Sequence, residues 1–310
     1  MKTLTGDHHR WEAPASGSAL ALGVFDGVHR GHRLLIERVT EEAKGAGLVP
    51  GVVTFDRHPL AVVDPDRAPR LLTTIPQRLD LLADLGIHFA AVLTFDERLR
   101  HLDPASFVTE ILVDALGARL VAAGSEFRFG HGRSGDTALL ASLGGRLGFE
   151  LAVVDLLLDG SPISASRIRA ALDSGEVADA ARGLGRPYEL RGTVVRGDGR
   201  GRAIGFPTAN LQLDPAVLVP ARGVYAVTAS LGERSFFAVT NIGIRPTFGG
   251  TAEVVEAHLL DFDEDIYGSE LRLHFVVRLR GEQRFDGVEG LVAQIARDVA
   301  AARSALEAAP

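Results

Sequence analysis

From residue 19 to about 184, short apolar runs alternate with amphipathic stretches. Runs at 19–24, 49–55, 89–94, 119–123 and 151–157 have the length of strands buried on both faces. Between them, 32–44, 76–85, 104–116 and 137–147 carry apolar residues at helical spacing. Gly45 and Gly47, Gly86, Gly117 and Gly148 stand where helix C-caps are expected. This alternation predicts a doubly wound α/β domain with a mostly parallel sheet. After Gly185-Arg186-Pro187 the period changes. Runs at 188–195, 223–231, 235–242, 254–260 and 271–280 follow one another with turns between, and Leu271-Arg272-Leu273-His274-Phe275 alternates apolar with polar. That pattern predicts a small antiparallel β-barrel or sandwich. Leu291, Ile295, Val299 and Leu306 then mark a C-terminal helix that packs on it. We therefore expect two domains, 1–185 and 186–310, which suits a chain of 310 residues.

Composition narrows the possible partners. The net charge of −7 argues against broad binding to nucleic acid or a membrane surface. Lys2 and Lys44 are the only lysines among 33 basic residues, so arginine supplies nearly all cationic contacts, a preference compatible with bidentate phosphate binding. Without cysteine, disulfides, thiolate catalysis and cysteine-ligated zinc are excluded. The start M-K-T-L-T-G-D-H-H-R carries no signal-peptide core, and no run approaches membrane-spanning length. A cytoplasmic protein, monomeric or weakly homo-oligomeric, is the expectation.

The first strand runs into Gly23-Val24-Phe25-Asp26-Gly27-Val28-His29-Arg30-Gly31-His32. A glycine-rich turn between strand and helix lets an anion approach unpaired backbone N–H groups at the positive end of the helix dipole. Gly23, Phe25, Asp26, Gly27 and Gly31 are thus candidate phosphate-binding positions. His29 and His32, three apart, share one helix face, where two imidazoles would stabilise a charged transition state on a nucleotide phosphate. A ligand-free βα connection is the plain alternative, and H-x-x-H is also half of many metal sites, although no further ligand follows at suitable spacing. In the second half, the stretch from Arg196 to Asn210 carries Gly197, Gly199, Gly201 and Gly205 beside Arg196, Arg200 and Arg202. It is not G-x-G-x-x-G, and neither lysine stands in a G-K-S/T. Any kinase here must hold phosphate without a Walker A loop.

G-x-F-D-G-x-H-x-G-H resembles the nucleotidylyltransferase signature of the bacterial bifunctional riboflavin kinase/FMN adenylyltransferases, the prokaryotic FAD synthetases. The resemblance covers nearly the whole chain. Thr54-Phe55-Asp56-Arg57-His58-Pro59 is similar to T-F-D-P-H-P, with Arg57 in place of proline. Gly124-Ser125-Glu126-Phe127-Arg128-Phe129-Gly130 is similar to the family's G-x-D/N-F-x-F-G loop, with Glu126 as a longer variant. Ile163-Ser164-Ala165-Ser166-Arg167-Ile168-Arg169 resembles I-S-S-T-R-I-R, with Ala165 and Ser166 substituted. Phe206-Pro207-Thr208-Ala209-Asn210 resembles the riboflavin kinase P-T-A-N motif, and the segments from Asn241 to Gly249 and from Val255 to Phe262 resemble further kinase segments.

The resemblance implies a fold, substrates and roles. An α/β doubly wound nucleotidyltransferase domain would precede a β-barrel kinase domain. ATP with Mg²⁺ would phosphorylate riboflavin to FMN, and a second ATP would adenylylate FMN to FAD. Glu256 would be the catalytic base of the kinase, with Thr208 and Asn210 contacting Mg²⁺ and ATP, and Gly199, Gly201 and Gly205 forming a phosphate flap. His29 and His32 would act in adenylyl transfer, with Ser164 and Arg167 on the phosphates. Phe55, His58, Glu126, Phe127 and Arg128 would face the flavin. Arg57, Glu126 and Ala165 all depart from the pattern in the N-terminal half, which leaves two rivals: a chain with only its kinase half active, and a flavin- or nucleotide-binding regulator.

Overall fold

The computed structural model describes residues 1–197, 199–247 and 250–308. Asp198 of the glycine-rich stretch, and Phe248 and Gly249 at the end of the segment that begins at Asn241, lie outside the described residues. The chain forms two compact units, Met1–Ala165 and Ser166–Pro310.

The first unit holds a six-stranded parallel sheet: β1 (Lys2–Leu4), β2 (Ser18–Leu22), β3 (Val49–Phe55), β4 (Phe89–Leu93), β5 (Ala118–Gly124) and β6 (Glu150–Val154), in the order β1-β4-β3-β2-β5-β6. Strand alternation divides its core in two. On β2, Leu20 and Leu22 face one cluster with Ile111, Leu112 and Leu140, whereas Ala19 and Ala21 face a second with Ile36, Val39 and Leu82. Helices α1 (Arg30–Ala46) and α2 (Ile75–Asp84) supply the second cluster. Helices α3 (Phe107–Ala115) and α4 (Thr137–Leu147) supply the first. This is the doubly wound architecture that the alternation predicts.

The differences are local. The edge strand β1 escapes the pattern because three residues carry no period. Gly45 lies inside α1, and the left-handed cap is Gly47 alone (φ 68°). Residues 104–116 do not form one α-helix: a single turn at Pro104–Ser106 leads into α3, which is of π type. The expected run at 151–157 stops pairing at Val154, and a two-stranded hairpin, β7 (Leu158–Asp159) with β8 (Ser161–Pro162), follows it.

The second unit begins with α5 (Ala165–Ser174) and α6 (Val177–Leu184). The boundary expected at 185–186 falls after this helix pair, whereas the compact units divide before it. Of the two architectures left open by the sequence, the barrel forms. Strands β9 (Tyr188–Val195), β10 (Ala209–Leu213), β11 (Gly223–Leu231), β12 (Arg234–Thr247), β13 (Gly250–Leu259) and β14 (Glu270–Arg280) close in the order β10-β13-β12-β11-β14-β9. The sequence missed β10, whose first two residues end the P-T-A-N motif, and β10 is the strand that closes the barrel through β9 and β13.

Successive residues of β11 point to opposite sides. Val224 and Ala226 pack with Ala302 and Leu306 of the terminal helix α7 (Val288–Glu307). Tyr225 and Val227 point into the barrel, where Tyr225 meets the Phe275 ring edge-on at 5.3 Å. Phe275 is wholly buried, and emptying its site leaves a cavity among rigid strands. Phe275→Ala should therefore destabilise the protein by about 3–5 kcal/mol, read as a lower urea midpoint by circular dichroism.

Candidate active sites

In the first unit the ordering of strands creates the site. From β2 the chain winds outward through β3 and β4, then returns to the other flank of β2 with β5. Ligands of open α/β sheets bind at such a reversal, beyond the C-terminal strand ends. Three loops meet there on neighbouring strands: 23–29 after β2, 56–59 after β3 and 125–128 after β5.

The turn after β2 is tightly determined. Phe25 and Val28 take positive φ (53° and 40°), which a non-glycine residue, above all a β-branched one, adopts only where its surroundings hold it. The hold comes from Asp26. Its buried carboxylate accepts from Leu72 N at 3.0 Å, Thr73 N at 3.1 Å and Thr73 Oγ1 at 3.2 Å, and it lies 3.5 Å from the wholly buried Arg78 guanidinium. Gly27 N donates to Thr73 Oγ1 (3.1 Å), Arg78 Nη1 donates to the Phe55 carbonyl (3.3 Å), and Thr54 Oγ1 donates to the Val24 carbonyl (2.9 Å). Asp26 thus pins the turn to the floor of the site, a different task from the phosphate contact expected of it.

His29 caps α1, its Nδ1 accepting from His32 N at 3.3 Å. The two imidazoles stack, with centroids 3.6 Å apart, and His32 also meets the Phe25 ring at 5.1 Å. Burial, then the neighbouring His29 and the charge of Arg78, push the His32 pKa well below 6.5. His32 Nδ1 is buried without a hydrogen-bond partner among the described residues. A Cβ on Gly31 would lie 3.2 Å from the His29 ring and 3.9 Å from the Ile163 carbonyl. Glycine here keeps a side chain off the His29 ring, and the 163–164 segment, with Ser164, lies at ordinary contact distance from the turn. Arg167 stands exposed in the first turn of α5 in the second unit.

Of the positions expected to face flavin, Phe55 and Phe127 are half-buried and pack against one core cluster. His58 Nδ1 accepts from Leu60 N at 3.2 Å, and Glu126 and Arg128 are exposed on the loop after β5. Arg57 pairs bidentately with Asp56 at 3.0 and 3.1 Å, and Asp56 also accepts from Phe95 N. The unusual arginine thus has a local partner.

In the barrel, register brings the kinase candidates together. Asn210 on β10 and Asn241 on β12 both stand opposite Glu256 on β13. The row Asn210–Glu256–Asn241 lines a cavity of about 440 Å³, within the range of small-molecule sites. Thr208, Gly199, Gly201 and His258 line it as well, while Gly205 does not. A Cβ on Gly201 would stand 2.3 Å from the Phe206 carbonyl, so the flap can fold onto the 206–208 segment only with glycine there. His258 Nδ1 lies 2.7 Å from the Pro207 carbonyl and steadies the same segment. Thr208 also lines a second cavity of about 230 Å³, whose far wall includes Asp263, Glu264, Asp265 and Tyr267. The acidic turn is tied down by arginines: Arg234 pairs with Glu264 at 2.6 Å and Arg303 with Asp261 at 2.9 Å.

Sequence reasoning missed Arg78, Asn241 and His258. Arg78 was recoverable, because it stands four residues before the buried Leu82 on the apolar stripe of α2. Asn241 and His258 needed the strand register, which no local pattern supplies.

Residues 12–167 match the family model described as FAD synthetase, and residues 184–306 the one described as riboflavin kinase. The bifunctional riboflavin kinase/FMN adenylyltransferase of Escherichia coli K12 is 41% identical over 305 residues, covering 98% of this chain and 97% of that one. Its namesake from Bacillus subtilis 168 is 36% identical over 305 residues, with 96% of each covered. A crystal structure described as a macrolide-efflux protein from Streptococcus pneumoniae matches with a TM-score of 0.89 and 29% identity, covering 98% of this chain and 99% of that one. Among the described residues, no helix of this chain is long and apolar enough to cross a membrane.

Two stability predictions follow from the turn. Arg78→Met leaves a buried carboxylate uncompensated and should cost about 3–5 kcal/mol, with Asp26→Asn in the same chain restoring part of the loss. Emission of Trp11, the only tryptophan and part of this unit's core packing, follows the urea transition. The low His32 pKa has a definite sign. As pH falls below about 6.5, the unfolded chain takes up a proton that the native turn refuses, so stability is level above that pH and falls below it. In His32→Asn the Trp11 transition should depend less on pH between 7 and 5.

Proposed function

Since the chain belongs to the bifunctional riboflavin kinase/FMN adenylyltransferase family, which makes FMN from riboflavin and then FAD from FMN, we propose a division of labour between its two halves and a role for each site residue. Residues 186–310 carry the kinase and 1–185 the adenylyltransferase. ATP is the co-substrate of both steps.

In the barrel, Glu256 accepts the proton of the terminal ribityl hydroxyl as that oxygen attacks the γ-phosphorus of ATP and ADP leaves. Asn210 and Asn241 flank the carboxylate and orient it. Thr208 and Asn210 offer neutral oxygens beside a carboxylate, a donor set that suits a hard divalent ion, so these two residues would hold Mg²⁺. When bound, Mg²⁺ neutralises phosphate charge. Thr208, shared by both cavities, would then stand between nucleotide and flavin, with Gly199 and Gly201 closing over the phosphates and Gly205 serving only as the hinge of the flap.

In the α/β unit, a phosphate oxygen of FMN attacks the α-phosphorus of the second ATP, and pyrophosphate leaves. Backbone N–H groups of the turn between Gly23 and Gly31, with Ser164, receive the phosphates. His29 and His32 face the developing charge. A triphosphate against the stacked pair favours the proton that burial denies to His32, so charge arrives in the site with the nucleotide. Phe55, His58, Phe127 and the loop bearing Glu126 and Arg128 border the flavin. The net charge of −7 supports small-molecule partners over nucleic acid.

The observation that carries this reading is the row Asn210–Glu256–Asn241 beside Thr208, because binding alone would need no carboxylate there. Pure protein incubated with riboflavin, ATP and Mg²⁺ should yield FMN and then FAD on chromatography. Glu256→Gln should slow FMN formation by about 10²–10⁴-fold and leave FMN-to-FAD conversion intact. His29→Ala should slow FAD formation by about 10²–10³-fold and leave the kinase intact. Loss of both activities in either folded variant would overturn the two-site assignment.

A further inference from the structure

Among the described residues, one cluster of ligating side chains lies outside both sites. Asp7, His8 and His9 follow the edge strand β1, and each offers one ligand atom within 4.8 Å of the others. The two imidazoles lie against each other with centroids 4.1 Å apart. From a different element, the π-type helix α3, Glu110 Oε2 lies 4.0 Å from His8 Nε2, outside the group of three but next to it. That His8 nitrogen is buried without a hydrogen-bond partner among the described residues. Helices of π type are rare and recur at functional sites, and this one presents Glu110 to the N-terminal segment.

We propose that Asp7, His8 and His9 form a binding site for a divalent transition-metal ion of the zinc class, which draws in Glu110 as its fourth ligand and so fastens the N-terminal segment to α3. Two imidazoles and two carboxylates are a zinc-type donor set, whereas Mg²⁺ takes oxygen ligands and would not compete. Asp7 already accepts from His9 N at 3.2 Å, so the backbone holds that carboxylate beside the imidazoles. Arg10 Nε lies 3.9 Å from Asp7 Oδ2, but its side chain is 85% exposed and free to swing into water. A metal would add an anchor where β1 has only three residues paired with β4.

The site carries its own reporter. The Trp11 ring stands 6.3 Å from His8, and its indole Nε1 donates to the Thr5 carbonyl at 3.0 Å. Full-length protein titrated with Zn²⁺ by calorimetry should bind one equivalent at this site. Cu²⁺, which binds such donors more tightly than Zn²⁺, should quench Trp11 emission saturably, and Zn²⁺ added beforehand should raise the Cu²⁺ concentration that this requires. His8→Asn and His9→Asn should each abolish both signals, and Glu110→Gln should weaken them. The paired substitution of His101 and His131, which stack at 5.1 Å elsewhere, should leave them unchanged. Hydrogen exchange over residues 2–11 should slow with Zn²⁺ in the wild type only. Both enzymatic activities should persist in the His9→Asn variant, which shows that it is folded. Absence of saturable binding, or binding unchanged in a chain carrying His8→Asn with His9→Asn, would sink the proposal and leave His8–Glu110 as an ordinary ion pair.

Discussion

The first unit depends on one buried charge pair. Asp26 and Arg78 are both withdrawn from water, and a lone charge in that position would be prohibitive. Each therefore fixes the other, and Asp26 further binds two backbone amides and a hydroxyl. The consequence is geometric. A turn with positive φ at Phe25 and Val28 has no intrinsic reason to persist, yet it sets where α1 begins and where its capping His29 stands. The pair also reaches the next strand through the Phe55 carbonyl, so the floor of the turn and the loop after β3 share one support. Arg78 contributes a second effect from the same place, since its positive field helps keep His32 neutral.

The barrel meets the same need differently. It places its candidate carboxylate by strand register. Glu256 is held by two neighbouring strands, each of which brings an asparagine opposite it. A closed barrel cannot slip by one residue without turning every inward side chain outward. The placement of Glu256 is thus protected by the whole ring of strands. A bidentate Arg280–Asp298 pair, at 2.8–3.1 Å, ties the last strand to α7 along the wall of the same cavity.

How far the sequence reveals all this follows from the range of each signal. Period and glycine position are local, so α1, α4 and most strands are legible to within two residues, and so is the turn at Gly23–His32. The motif residues Thr208, Asn210 and Glu256 are legible as a set, although their convergence is not, because β10 is a five-residue strand hidden in a loop-like stretch. The support of Asp26 is out of reach for the same reason. An acidic residue in a glycine-rich turn shows no partner until Leu72, Thr73 and Arg78 arrive from 46 or more positions away. Residues that touch a ligand sit in short motifs, and the ones that hold them in place are scattered.

That distinction also explains the departures at Arg57 and Glu126. Both lie on loops after strand ends, both are exposed, and neither belongs to the network that fixes the turn. Arg57 satisfies its charge on the adjacent Asp56, so losing a proline there changes local stiffness and leaves the floor of the site untouched. Glu126 projects from the loop whose neighbour Phe127 stacks on Phe129 at 5.7 Å, so the loop keeps its aromatic anchor whichever acidic or amide side chain precedes it. Substitutions in this half therefore cluster where the fold tolerates them. The histidine pair, its cap and the buried Asp26–Arg78 pair remain intact, which is the arrangement expected of a half that still performs its chemistry.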